Sequence, residues 1–598
     1  MTETKTNPLF HLMPSLTDVA FLYPLVYLFS GLDGVRTMLA DGDTGWHIRT
    51  GEWILAHGAV PRQDMFSFTK PGAPFFAWEW LWDVCFAWIH GRWGLGGVAL
   101  VSIFVLCLTS ALLYKLVLAA TVRAGRENPL VAIVLTGLAM GGASMHWLAR
   151  PHLFSMLFLL IFVAILERAR GAGFPACSRA SARPEEPAES RLQPARLPHN
   201  EMPSARLLWL LPPITILWVN VHAGFLVGVA MVGLYGIGSL VNAAVAPGAR
   251  ERIAHLRSAV PYFAAAAGCA LASLVNPYTY RLHAHIWEYL NDRFPLNHVS
   301  EYQAANFRWG AAPLIEAMLV LAVSSAIWYG LRRQFVEVVV LMAWAHMSLV
   351  IARNVPIFMV VAAPFAAPPV LHWLRALGKA PIAGWLRSVF ANFEEIGEEL
   401  VAMERPWRVH AVSAAVLLLL AGAISAPGAG PKFKPEFDPH TFPAGALAAL
   451  DNPGQRIFTY DQWGDYLIYE LSPRGGKVYI DGRSDLYGDK FCLEAMDVMS
   501  VKYDWEKTLA RYGVDTILIS AGSPLAGAIK ESRHWRVRYD DGLAIVFRPA
   551  PSAPGTNLQV SAGTASGLGG RDLPVTESAR VNPKDHEFQQ QPREGVNP

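Results

Sequence analysis

Charge is what this 598-residue chain has least of: 16% of its residues are Asp, Glu, Lys or Arg, against roughly 25% in an ordinary soluble protein. Beside 53% hydrophobic residues, that shortage excludes a wholly aqueous protein and leaves a polytopic membrane protein with some aqueous mass attached. Cysteine is scarce as well. Cys85, Cys107, Cys177, Cys269 and Cys492 lie far apart, which excludes a disulfide framework and a CxxC metal site. The formal net charge is +2, and no basic cluster interleaved with aromatics stands in the chain, so nothing points to nucleic acid. The N-terminus lacks a cleavable signal pattern, and the first apolar run reads as a retained signal anchor.

Apolar runs are what the chain has in number. They cover Thr17 to Leu32, Gly94 to Thr121, Pro129 to Trp147, Leu153 to Leu166, Leu207 to Val219, Ala223 to Val245 and Ala259 to Val275. Further runs cover Ala311 to Trp328, Val336 to Ile351, Pro356 to Leu374 and Val409 to Ile424. Phe75 to His90 is aromatic but holds Glu79 and Asp83, so it suits either a span or an interfacial helix. Placing it in the interface leaves about eleven spans and gathers the short Arg/Lys-rich loops on one side, the positive-inside pattern. The N-terminus, residues 1–15, is then cytoplasmic. The spans occupy residues 16–427, with a first outer loop over 33–93, and the remainder of the chain lies outside. Residues 171–204, rich in Pro, Ala, Arg and Glu, and residues 550–598, rich in Pro, Gly, Ser and charge, read as disordered. Short β-rich runs alternating with helical stretches make residues 431–549 a small α/β domain, with a hairpin at Asp540-Asp541-Gly542 by its turn signal.

The rest of the chain is organised around Asp41-Gly42-Asp43-Thr44-Gly45-Trp46-His47, just beyond the first span. Two carboxylates beside hydrocarbon are costly to place. Trp46, Trp53, Ile54 and Leu55 then recur near helical spacing, as in an amphipathic helix with its tryptophans at headgroup depth. Asp41 also suits a plain helix cap. In this orientation Asp41, Asp43, His47, Glu79, Arg150, His152, Asn220, His222, Asn276, Arg281 and Arg353 all fall on the outer side. Singly, each suits snorkelling or capping. Together they suit a catalytic or binding cavity.

The segments Asp41-Gly42-Asp43-Thr44-Gly45-Trp46-His47, Glu79-Trp80-Leu81, Ala149-Arg150-Pro151-His152, Trp218-Val219-Asn220-Val221-His222 and Asp481-Gly482-Arg483-Ser484-Asp485-Leu486-Tyr487-Gly488 resemble a bacterial subgroup of GT-C membrane glycosyltransferases related to families 39 and 83. The resemblance covers roughly Leu16 to Ile424. It implies a GT-C-like fold in the bacterial inner membrane, a polyprenyl-phosphate-linked sugar as donor, and a first-loop Asp that activates an extracytoplasmic acceptor: glycan, lipid or protein. Asp-Gly-Asp departs from the Asp-Glu common in those families towards the metal-binding DxD of the oligosaccharyltransferase branch. Asp41 and Asp43 therefore stand both as candidate bases and as candidate ligands of a divalent cation, Mg or Mn.

The chemistry agrees with that assignment of roles. Transfer from a lipid phosphate needs a base for the acceptor hydroxyl and donors that hold the leaving phosphate. Arg150, Arg281 and Arg353 are candidates for a bidentate phosphate clamp. His47, Glu79, His152, Asn220, His222 and Asn276 are supporting or acceptor-binding candidates. Asp481-Gly482-Arg483-Ser484-Asp485 suits either an acceptor saccharide or a tight turn after a strand. A surface-polysaccharide polymerase or ligase, a transporter and a non-catalytic scaffold are the rival readings. A transporter would carry its polar groups near the midplane of its spans, whereas here they gather at span ends.

Overall fold

The computed structural model describes residues 11–171, 205–308, 310–404, 408–450, 452 and 454–551. The expectations for residues 1–10, the loop 172–204 and the tail 552–598 lie outside the described residues. The chain is a helical membrane bundle that carries a small α/β domain at one end. Six helices among the described residues are long and apolar enough to cross a membrane: Trp80–Ala124, Pro129–His146, His152–Ala169, Phe225–Ala244, Ala312–Leu331 and Ala352–Lys379. Four shorter apolar helices, Leu16–Gly31, Ala205–Val221, Phe335–Val350 and Ala411–Ser425, accompany them. Another helix, Ala249–Ala272, is charged over its first turns and apolar after them.

For the argument below the helices are named α1 (Leu16–Gly31), α2 (Asp43–His57), α3 (Trp80–Thr121), α4 (Pro129–Ala143), α5 (His152–Ala169), α6 (Leu211–Val221), α7 (Phe225–Ala244) and α8 (Ala249–Ala272). They continue with α9 (Tyr280–Asn291), α10 (Ala312–Leu331), α11 (Phe335–Val350), α12 (Val355–Lys379), α13 (Gly384–Glu404) and α14 (Ala411–Ser425). Helix α12 is the axis of the bundle, with Val355 to Pro369 buried almost without interruption between α3, α4, α10 and α11.

The segment Phe75 to His90 is helical from Trp80, and this helix and the span that follows it are two helices separated by a kink. The kink is at Gly94, whose φ of 58° and ψ of −160° suit a residue without Cβ. Trp88 and Trp93 flank the break and are exposed, as tryptophans at a membrane interface are.

The α/β domain has five strands, β1 (Arg456–Phe458), β2 (Lys477–Val478), β3 (Thr516–Ser520), β4 (Trp535–Asp540) and β5 (Ala544–Pro549), in the order β2-β1-β3-β5-β4. β1 runs parallel to β2 and β3, and β5 pairs antiparallel with β3 and β4. The β4–β5 hairpin turns through Gly542 at φ 85°. Helix α15 (Asp461–Leu471) follows β1, and α16 (Asp489–Met499) follows β2.

This domain is fastened to the first loop. The edge strand β2 is extended by the segment around Ser67, which pairs parallel with Val478, and Phe68 N–H and Phe66 C=O bond Val478 at 3.1 and 3.0 Å. Arg49 on α2 donates to the Tyr469 carbonyl on α15 at 2.8 and 2.5 Å.

Candidate functional site

Helix α2 is not laid in the interface as its tryptophan spacing suggests. It is buried between α3 and α15, with Trp46 and Ile54 each 7% exposed and Thr50 fully covered. Glycine is the reason. A Cβ at Gly45 would stand 2.8 Å from Tyr469 Cβ, and one at Gly51 only 1.9 Å from the Asp83 carbonyl. Without side chains at these positions the two flanking helices close on α2 from both sides. Asp41 keeps part of its capping role, since its Oδ1 accepts the Asp43 N–H at 2.9 Å.

The first turn of α2 meets the residues just before α5. Ala149 N–H donates to the Met38 carbonyl at 2.7 Å, and the Thr44 hydroxyl donates to the Ala149 carbonyl at 3.2 Å. These bonds aim Arg150 at the acids. Its Nη1 lies 2.7 Å from Asp41 Oδ2 and its Nη2 2.5 Å from Asp43 Oδ2. The guanidinium thus bridges two carboxylates.

All three side chains line a cavity of about 1190 Å³ between the end of the bundle and the α/β domain. Arg353, between α11 and α12, lines the same cavity. Its Nη1 donates to the Tyr302 hydroxyl at 2.6 Å and lies 3.6 Å from Glu301 Oε1. The Tyr289 hydroxyl continues this row, donating to Tyr302 Oη at 3.1 Å. The far wall comes from the α/β domain, with Asp461, Gln462, Asp481, Ser484, Met496 and Met499. Tyr27, Leu32, Met145, Leu148 and Ala311 form an apolar lip on the bundle side.

Burial sets the charge states. It drives the Asp43 carboxyl up, Arg150 opposes it and Asp41 adds to it, leaving the group raised to about 7. Burial raises Glu79 to about 8 against the pull of Arg353. At Glu301 burial also pushes upward, but Arg353 and Arg150 outweigh it and bring the group down to about 2. His47 and His222 are held well below the ordinary imidazole range, by burial first and by nearby arginines second. Both are neutral.

The other expected residues have different destinations. His47 Nδ1 bonds Asp83 Oδ1 at 2.7 Å behind the cavity wall. His152 Nε2–H donates to the His146 carbonyl at 2.6 Å. His222 Nδ1 accepts from the Ser155 hydroxyl and the Gly224 N–H at 2.8 and 3.0 Å. Asn220 takes the Trp80 indole N–H at 2.7 Å and donates to the Ile216 and Val275 carbonyls, so it locks helix ends together. Asn276 closes the turn before α9 through Ser273, Thr279 and Tyr278. Arg281 is exposed on α9 and does not line the cavity, which separates it from the phosphate-clamp candidates. Within the Asp481–Asp485 segment, Arg483 is 4% exposed and bonds Asp481 and Asp64 at 2.7 to 2.8 Å. That buried fork fastens the α/β domain to the first loop, leaving Asp481 and Ser484 on the cavity wall.

Two features bear on a metal. Asp41 and Asp43 turn an oxygen each onto Arg150, which already supplies the positive charge that a cation between them would bring. Among the described residues no three His, Cys, Asp or Glu side chains gather in a set that could hold an ion. As folded, the pair does not fit a divalent cation, in contrast to the DxD expectation.

Glu301, Tyr302, Tyr289, Asp461 and Asp465 carry no such signal in the sequence. Glu301 and Tyr302 sit in a short 3₁₀ turn, where no apolar period marks them. Asp465 lies inside α15, where an acid reads as an ordinary polar position.

No family model matches the sequence, and no curated protein matches it. Solved structures similar in chain path include the archaeal oligosaccharyltransferase AglB from Archaeoglobus fulgidus in complex with an inhibitory peptide and a dolichol-phosphate. It shares 12% identity over 91% of this chain and 74% of that one, with a TM-score of 0.47. ArnT from Cupriavidus metallidurans in the apo state shares 13% identity over 89% of this chain and 96% of that one, TM-score 0.43. Bound to undecaprenyl phosphate, the same ArnT aligns over 90% of this chain and 98% of that one at 13% identity, TM-score 0.41.

Proposed function

We propose that the chain is a membrane glycosyltransferase that moves a sugar from a polyprenyl-phosphate-linked donor to an acceptor hydroxyl outside the cytoplasm, in a bacterial inner membrane. One observation carries the reading: two acids bridged by Arg150 face Arg353 across a cavity large enough for two substrates. In this reading Asp43 is the base. A carboxyl raised to about 7 is well matched to taking a proton near neutral pH. The acceptor hydroxyl gives its proton to Asp43 as its oxygen bonds the anomeric carbon. The bond from that carbon to the phosphate oxygen breaks, and its electron pair leaves on the phosphate.

Arg353 is the better phosphate clamp, because Arg150 is already saturated by Asp41 and Asp43. Charge developing on the leaving oxygens strengthens such an interaction in the transition state. The apolar lip at Tyr27, Leu32, Met145 and Leu148 suits the start of an isoprenoid tail. A deletion strain tests the reading: mass spectrometry should find an altered surface glycan and an accumulated lipid-linked sugar, and unchanged pools would count against transfer. A reporter fused after Ala426 should be active only outside the cytoplasm; activity inside would overturn the orientation.

A further inference from the structure

Asp465 is fully buried on α15, in the α/β domain, yet it reaches the first-loop acids. Its Oδ1 accepts the Gly482 N–H at 2.9 Å. Its Oδ2 is buried and receives no donor from another group, and the same holds for Asp43 Oδ1. These two oxygens converge on one point: a Cβ built at Gly482 would lie 2.6 Å from Asp43 Oδ1 and 2.8 Å from Asp465 Oδ2. Two carboxylate oxygens brought together without a donor repel each other in a dry interior. The contact becomes favourable when one carboxyl carries a proton.

The bonding pattern decides which one. Asp43 already gives Oδ2 to Arg150, which favours its ionised form. Among the described residues Asp465 has no ion-pair partner, and Asp481 beside it is paired with Arg483. Asp41, Arg150, Glu301 and Asp481 are the other charged groups turned on this pair. Burial and the neighbouring Asp43 and Asp481 also push the Asp465 carboxyl well above its ordinary range.

We infer that Asp465 is a positioning residue of this site, its protonated Oδ2 donating to Asp43 Oδ1 so that the α/β domain holds the base in place. The inference rests on the transferase reading for its consequence but not for its geometry. Held by Arg150 on one oxygen and by Asp465 on the other, Asp43 cannot rotate away from the cavity. Gly482 is required because any side chain there would enter the gap between the two acids.

The test uses the full-length chain in membranes and purified in lipid nanodiscs. In D465N the amide oxygen can accept from Gly482 and the amide N–H can donate to Asp43, so the same two bonds are kept. D465A loses both. In a deletion strain, D465A should lose about 10²-fold in transfer, the scale of a displaced catalytic group, and D465N should restore most of that loss. G482A should behave like D465A. Infrared spectra supply a readout that needs no substrate: the difference between wild type and D465N should contain the C=O band of a protonated carboxyl. If that band is absent, or if D465N is as damaged as D465A, the inference is overturned. If the band is present while no variant alters any glycan, the shared proton stands and the transferase reading falls.

Discussion

Two groups of charged side chains are buried in this molecule to nearly the same depth, at opposite ends of the same helices. Helix α5, about 27 Å long by helical rise over its 18 residues, has Arg150 two residues before its first residue and Arg170 just after its last. At the Arg170 end, Arg170 lies 3.1 Å from Glu167 and 2.9 Å from Glu337. Arg123 closes on Glu167 and lies 3.9 Å from Glu337, and the Tyr235 hydroxyl donates to Glu167 at 2.6 Å. Two arginines meet two glutamates, and the adjoining cavity is only about 10 Å³. At the Arg150 end, Asp41, Asp43 and Glu301 outnumber Arg150 and Arg353, and the cavity is about 1190 Å³. Glu337 is 3% exposed and Asp43 8%, so depth does not separate the two groups. Balance and access do. The closed group ties α3, α5, α7 and α11 together, while the open one has room for substrates and an acid raised into the neutral range.

The comparison breaks most sharply at Asp43. Replacing it with Asn keeps shape and hydrogen-bonding reach but removes the base, so transfer should fall about 10²- to 10⁴-fold while the protein still inserts. Glycan analysis of a complemented deletion strain measures the loss. Asp41→Asn should cost less, because Asp41 already spends one oxygen on the Asp43 N–H. Full activity in both variants would dismiss the catalytic reading of the open group.

The closed group should fail in the opposite manner. Glu337→Ala leaves Arg170 without its second carboxylate, and breaking a buried pair costs about 3 to 5 kcal/mol. Thermal unfolding in detergent should show a marked drop, while the turnover of the protein that remains folded stays at the wild-type value. A loss of turnover without loss of stability would mean that this end takes part in function.

Arg353→Lys comes next. It keeps the charge but loses the planar fork, so turnover should fall about 10²-fold, the lower end of what one missing transition-state donor costs. The pH profile sharpens the same point. Asp43 acts only when ionised, and its group is raised to about 7. Turnover should therefore climb as pH rises through about 7. A profile already flat between pH 5 and 8 would place the base elsewhere.

How far the sequence could foresee this depends on the information a span end encodes. The apolar runs showed the membrane bundle because length and hydropathy are local properties. Asp41, Asp43, Arg150 and Arg353 stood out because charge beside hydrocarbon is costly. A position at a span end fixes height along the bundle but not direction around it. Hence Asn220 and Arg150 gave the same signal, although one locks helices and the other faces the cavity. The burial of α2 was hidden for a related reason: Gly45 and Gly51 act through the groups that pack against them, which lie more than thirty residues away in the chain for Gly51 and over four hundred for Gly45. Asp465 was hidden most deeply, since its meaning depends on a contact between the first loop and the last domain.

The smallest expected effect is at Arg281, and it tests the boundary of the open group. Its sequence setting is similar to that of Arg353, in that both follow the outer end of an apolar run. In the fold it is exposed on α9 and does not line the cavity. A surface substitution away from such features usually changes stability by no more than about 0.5 kcal/mol. Arg281→Ala should therefore leave thermal unfolding and turnover near the wild-type values, in the same assays that register the loss in Arg353→Lys. If Arg281→Ala instead loses turnover as severely as Arg353→Lys while remaining stable, the phosphate is held on the α9 surface. The cavity between Arg150 and Arg353 would then not be where the sugar is transferred.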